Sequence, residues 1–139
     1  MNINTELITF DTGIVLENGE KLDSFDLMVE SYGELNETKT NAILVCHAFS
    51  GNHHASGKNE LKEIGWWNEI IGPNKAIDIN KYYVVCCNNL GGCSGSSGPK
   101  SIDPSTHKPY GSDFPLVTVS DWVNSQKMLM DKLNIPKWH

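Results

Sequence analysis

The chain has 139 residues, 39% of them hydrophobic and 20% charged, the balance of an ordinary globular protein and a length suited to one domain rather than two. Seventeen acidic residues against 11 basic ones give a formal net charge of −6 without any basic cluster, which argues against a nucleic-acid partner. No segment approaches the roughly 18 consecutive apolar residues of a membrane span, and residues 1–10 lack the basic start of a signal peptide, so a cytoplasmic location without membrane contact is expected.

Residues 5–10 and 25–31 alternate apolar and polar side chains and are separated by turn signals at Asp11-Thr12-Gly13 and Glu17-Asn18-Gly19, which predicts antiparallel strands with one wet face. Residues 42–46 (AILVC) and 82–87 (YYVVCC) are continuous apolar runs, the pattern of strands buried on both faces of a parallel sheet. Between them, residues 51–80 form a long irregular stretch with one short helical candidate at 66–71, stopped by Gly72-Pro73. Long loops of this kind usually carry function. Thr118 or Ser120 caps a predicted helix whose apolar face would comprise Val119, Trp122, Val123, Leu129, Met130 and Leu133, ending near Asn134. No repeat or linker-like tract divides the chain.

Of the four cysteines, Cys46, Cys86 and Cys87 lie inside apolar runs where a thiol serves as a small buried hydrophobe, and none forms a C-x-x-C pair with Cys93 or another, so neither disulfide nor zinc site is expected. His47-Ala48-Phe49-Ser50-Gly51 follows the first apolar run directly, a placement from which a backbone N–H can face a reacting oxygen, with Gly51 allowing a sharp turn. His53 and His54 are adjacent and on an extended chain point to opposite sides, so a shared metal is not expected. Gly91-Gly92-Cys93-Ser94-Gly95 fits G-x-C-x-G, but Ser96-Ser97-Gly98-Pro99 cannot open the helix that a nucleophile elbow needs. The Trp66-Trp67 pair reads as packing, and Asp103, Asp113 and Asp121 read as turn or helix caps rather than catalytic acids.

Taken together, Tyr32-Gly33-Glu34-Leu35-Asn36, His47-Ala48-Phe49-Ser50-Gly51, Gly65-Trp66-Trp67, Ile71-Gly72-Pro73, Asn89-Leu90-Gly91-Gly92-Cys93, Ser97-Gly98-Pro99, Ser101-Ile102-Asp103-Pro104 and the run from Pro109 to Pro115 resemble the homoserine O-acyltransferase family, in the family's order and over nearly the whole chain. The resemblance implies an α/β class, an incomplete α/β-hydrolase fold with a mostly parallel sheet and antiparallel amino-terminal strands. Residues 1–139 would be the amino-terminal part of a single such domain, ending before the nucleophile elbow, so that the chain alone would be inactive without the Ser, Asp and His of the triad. It further implies transfer of an acyl group, acetyl by preference, from acyl-CoA to the hydroxyl of L-homoserine in methionine biosynthesis through a serine acyl-enzyme. Acyl-CoA would be a co-substrate, with no bound cofactor or metal, and the full-length parent a homodimer. By the same resemblance the backbone N–H of Phe49 helps form the oxyanion hole, while Ser50, Gly51, Asn52, His53 and His54 line the acceptor pocket; Phe49 departs mildly from the family's leucine. A serine O-acyltransferase or related hydrolase, and a half-domain module without chemistry, are the rival readings.

Overall fold

The structure, a computed structural model, describes residues 2–139. Its first part contains β1 (Ile3–Phe10), a small hairpin of β2 (Ile14–Val15) and β3 (Lys21–Leu22), and β4 (Phe25–Tyr32). There follow β5 (Ala42–Val45), the short parallel pair β6 (Ile71–Gly72) and β7 (Ile77–Asp78), and β8 (Tyr83–Cys87). A hairpin of β9 (Ile102–Asp103) and β10 (Lys108–Pro109) and a 3-10 turn at Gly111–Asp113 lead into α1 (Val119–Lys132). No helix is long and apolar enough to cross a membrane.

Four strands form the main sheet in the order β1-β4-β8-β5. β1 runs antiparallel to β4 from Ile3 opposite Tyr32 to Phe10 opposite Phe25, and β4 runs antiparallel to β8. β8 and β5 are parallel, with Val45 opposite Cys86. Alternation along β8 sends its side chains into two cores: Val85 and Cys87 pack with Phe25, Leu27, Val29 and Leu129, and Val84 and Cys86 with Tyr32, Val45, Ala55 and Ile71. Burial pushes the Cys87 thiol up to about 12 and that of Cys86 higher still, so neither supplies a thiolate at neutral pH.

The buried-on-both-faces expectation holds for β8 and only partly for residues 42–46. Ile43 and Leu44 are half-buried and Cys46 is exposed, because among the described residues β5 is the edge of the sheet. The predicted helix at 66–71 is a single turn instead: Ile70 and Ile71 N–H both donate to Trp67 O (2.9 and 3.1 Å), and Ile71 already pairs with Ile77 as a strand.

Thr118 is the cap of α1, and its side chain and that of Asp121 form a reciprocal capping box. The helix is rotated from the predicted face. Asp121, Ser125 and Leu129, spaced four apart, point inward, while Val119 and Val123 stay 67% and 57% exposed. The cause is the Asp121 carboxylate, which accepts the Thr118 N–H (2.9 Å) with one oxygen and the Glu17 N–H (2.8 Å) with the other, pinning the first turn against the segment between β2 and β3. Asp121→Ala removes the fully buried acceptor and leaves the Glu17 and Thr118 N–H groups without it, and is expected to lower unfolding stability by about 2–3 kcal/mol, against about 1 kcal/mol for Thr118→Ala. Urea titrations of both variants, read at constant slope, check the ranking.

Candidate functional site

Because β5 and β8 are parallel neighbours, the loops that leave them start side by side, at the edge where sheets of this class bind ligands. His47 joins the two loops. The Asn89 N–H donates to its Nε2 (3.1 Å), so the ring is the Nδ1–H tautomer, which donates to Ala48 O (2.7 Å). Gly51 N–H reaches the same carbonyl (2.9 Å) and closes the turn. A Cβ at Gly51 would lie 3.1 Å from both Cβ and Nδ1 of His47, so any larger residue would press the His47 ring aside by a few tenths of an ångström. The second loop is held by the Trp122 indole N–H on Leu90 O (2.8 Å) and by Gly91 N–H on Ser97 O (2.7 Å). No helix follows Gly91-Gly92-Cys93-Ser94-Gly95, as the turn residues after it predict.

The two loops wall a cavity of about 660 Å³, with His47 and residues 49–52 on one side, residues 89–94 on the other, and Phe114, Leu116, Val117 and Trp122 closing it. Among the described residues no Asp, Glu, Lys or Arg lines it. Phe49 is 89% exposed, its ring 6.3 Å from that of Trp122, and among the described residues its backbone N–H has no hydrogen-bond partner.

The residues expected in the acceptor pocket divide between two hollows. Phe49, Ser50, Gly51 and Asn52 face the first cavity; Asn52, His53 and His54 face a second, of about 790 Å³, with Glu30, Lys58 and Glu63; Asn52 and Ser94 line both. Glu30 is the hub of the second. Buried on β4, it accepts from Tyr32 Oη (2.5 Å) and Thr5 Oγ1 (3.3 Å) and faces His54 Nδ1 (3.0 Å). His54 Nε2 faces Glu63 O (3.1 Å), so both ring nitrogens meet acceptors. Tyr32 Oη also accepts the N–H groups of Ala55 (2.9 Å) and Ser56 (3.1 Å), and burial beside Glu30 drives its hydroxyl far above the usual tyrosine range. His53 Nε2 lies 3.9 Å from Glu30, and its buried Nδ1 has no partner among the described residues. Sequence reasoning missed Glu30, Tyr32 and the His47 link to Asn89; a Glu at an inward position of an apolar strand was the available signal for the first. Asp103 and Asp121 are caps: the Ser105 N–H donates to Asp103 Oδ1 (2.8 Å).

The strand order, the parallel ladder and the loops walling a cavity at its end are those of the α/β-hydrolase fold, and solved members superpose on nearly the whole chain. A homoserine O-acetyltransferase from Bacillus anthracis matches with TM-score 0.92 and 36% identity over 100% of this chain and 39% of its own. Esterase E22 matches with TM-score 0.90 and 38% identity over 99% of this chain and 39% of its own. No family model matches the chain. By sequence the chain is homologous to the homoserine O-acyltransferases: it is 56% identical over 138 residues to a homoserine O-succinyltransferase of Hahella chejuensis, covering 98% of this chain and 36% of the relative. A homoserine O-succinyltransferase of Neisseria gonorrhoeae is likewise 56% identical over 138 residues, with the same coverage. The chain thus spans about a third of the length of the curated relatives it matches.

The polar hollow has a pH signature. Burial, with smaller contributions from His54 and His47, lowers the His53 pKa below its usual 6.5 in spite of the opposing pull of Glu30. A histidine depressed in the fold binds its proton more readily when unfolded, so its contribution to stability is complete above about pH 6.5 and is lost as pH falls through the lower folded value. His53→Gln is expected to flatten the loss of unfolding stability between pH 7 and pH 5, read from urea midpoints across that range.

Proposed function

We propose that this chain forms the oxyanion-side and acceptor-side walls of a homoserine O-acyltransferase, with the nucleophilic serine and its His and Asp partners contributed from outside residues 1–139. The observation that carries the reading is the unpartnered Phe49 N–H at the mouth of an uncharged cavity, on the loop leaving a parallel strand. In the proposed reaction the serine Oγ attacks the thioester carbonyl of an acyl-CoA, whose oxygen takes the negative charge that the Phe49 N–H stabilises. The C–S bond then breaks and CoA leaves as the thiol with the serine's proton; the homoserine hydroxyl attacks the acyl-serine carbonyl in turn, the bond to the serine Oγ breaks, and Oγ takes up the homoserine hydroxyl's proton as the acylated homoserine leaves. Acyl-CoA is a co-substrate in this scheme, which uses no resident cofactor or metal.

Ester hydrolysis is the second reading, favoured by the likeness to esterase E22. Transfer is preferred because the curated relatives at 52–57% identity are named homoserine O-succinyltransferases. The acyl group is the finer step. The names of those relatives support a succinyl donor, against the acetyl expected from the sequence. Release of CoA thiol on mixing homoserine with either donor, in an active enzyme carrying these residues, tests both steps: kcat/KM is expected to be higher with succinyl-CoA, and equal acyl loss with and without homoserine would turn the reading to hydrolysis.

The backbone role of Phe49 has its own test in an active enzyme carrying these residues. Phe49→Leu keeps the N–H and is expected to leave turnover nearly unchanged, whereas Phe49→Pro removes it and lowers kcat by about a hundredfold or more. Equal losses in steady-state assays of the two would place the effect in the side chain.

A further inference from the structure

An oxyanion donor stabilises charge only if its N–H is aimed before the charge forms, and a loop with an exposed side chain such as Phe49 does not aim itself. The peptide group that carries the Phe49 N–H also carries the Ala48 carbonyl. A trans peptide is planar, so the N–H and the C=O point in opposite directions and fixing one fixes the other. The Ala48 carbonyl is held twice, by His47 Nδ1 (2.7 Å) and by Gly51 N–H (2.9 Å). The His47 ring is itself buried and anchored at its far side by the Asn89 N–H (3.1 Å), on the loop that leaves β8.

We propose that His47 is a positioning residue for acyl transfer: its imidazole, braced on the end of β8, clamps the Ala48 carbonyl and so points the Phe49 N–H into the cavity. This rests on the oxyanion reading of Phe49. The clamp works only with a ring that donates at Nδ1 while accepting at Nε2, which is the neutral tautomer the contacts require. His47 touches no reacting atom and transfers no proton in this scheme. Its effect is confined to the step in which the carbonyl oxygen becomes negative, and substrate affinity is left to other residues.

A mutant cycle in an active enzyme carrying these residues tests the proposal and separates its failure from that of the reading beneath it. His47→Ala is expected to lower kcat by about a hundredfold, as a misaimed catalytic group does, with KM for both substrates within about twofold. Millimolar imidazole, which can refill the vacated space and remake both hydrogen bonds, is expected to restore much of the loss. In a Phe49→Pro background the N–H to be aimed is gone, so adding His47→Ala is expected to cost less than about threefold more. Losses that multiply in the double variant, or a rise in KM with kcat intact, would overturn the clamp and leave His47 a packing residue. A Phe49→Pro variant with unchanged kcat would overturn the oxyanion reading itself. Should Phe49→Pro fail to melt cooperatively, the single His47→Ala variant decides through its kcat and KM split and the imidazole response.

Discussion

Everything in the site follows from the parallel ladder between β5 and β8. Its register, Ala42 opposite Tyr83 to Val45 opposite Cys86, brings the two carboxyl ends to the same edge within one strand spacing. Antiparallel pairing of the same strands would separate those ends by the strand length, about 13 Å for four residues, and the ring of His47 could not bridge them. Parallel pairing demands a crossover between Val45 and Tyr83, and here it is irregular chain rather than a helix. It covers the sheet with Ala55 and Ile71, which pack on Tyr32, Val84 and Cys86.

A crossover without a helix must satisfy its backbone groups elsewhere, and the Glu30 cluster does part of this. Tyr32 spends its hydroxyl proton on Glu30 and its lone pairs on the N–H groups of Ala55 and Ser56, so one side chain anchors both the carboxylate and the loop. Burying a carboxylate is expensive unless it is paired and hydrogen-bonded, and Glu30 has Thr5, Tyr32 and His54 around it. The cluster is therefore coupled: loss of any one partner leaves the buried carboxylate with fewer of the hydrogen bonds that offset its desolvation. The long stretch between β5 and β8 is held to one conformation by a polar hub on β4, where a helix would have used its own backbone.

The elements legible in the sequence were those specified by near neighbours. Alternation marked β1 and β4, apolar runs marked β5 and β8, and Thr118 or Ser120 marked the start of α1, each within a few residues of its place. The rotation of α1 was not legible, because Asp121 has a second partner, Glu17, 104 residues away in sequence, and that tertiary bond outweighs the apolar claims of Val119 and Val123. The loop from His47 to Gly51 was found because it follows an apolar run. What His47 does there was not, since its partner Asn89 lies 42 residues on. His53 and His54 were expected to point to opposite sides of an extended chain, yet the backbone turns both toward Glu30, His54 at 3.0 Å and His53 at 3.9 Å.

The two hollows are joined by Asn52, and that junction ties down one end of an exposed loop. Asn52 is held through its side chain, which accepts the His54 N–H (2.9 Å), and through its carbonyl, which accepts the Trp66 indole N–H (3.0 Å). His47 is held at the other end by Asn89. Residues 48–51 are thus a short span between two fixed posts, with an internal turn closed by Gly51 N–H on Ala48 O. Ordering a backbone residue costs about 1–2 kcal/mol, and here that cost falls on folding, through bonds to the sheet and to the Glu30 cluster, before any substrate arrives. A donor ordered in advance gives its full hydrogen bond to a developing charge, whereas one that must be ordered during reaction gives back part of it. The polar hollow, which touches none of the uncharged cavity except through Asn52 and Ser94, is in this sense the support on which the geometry of the first cavity rests.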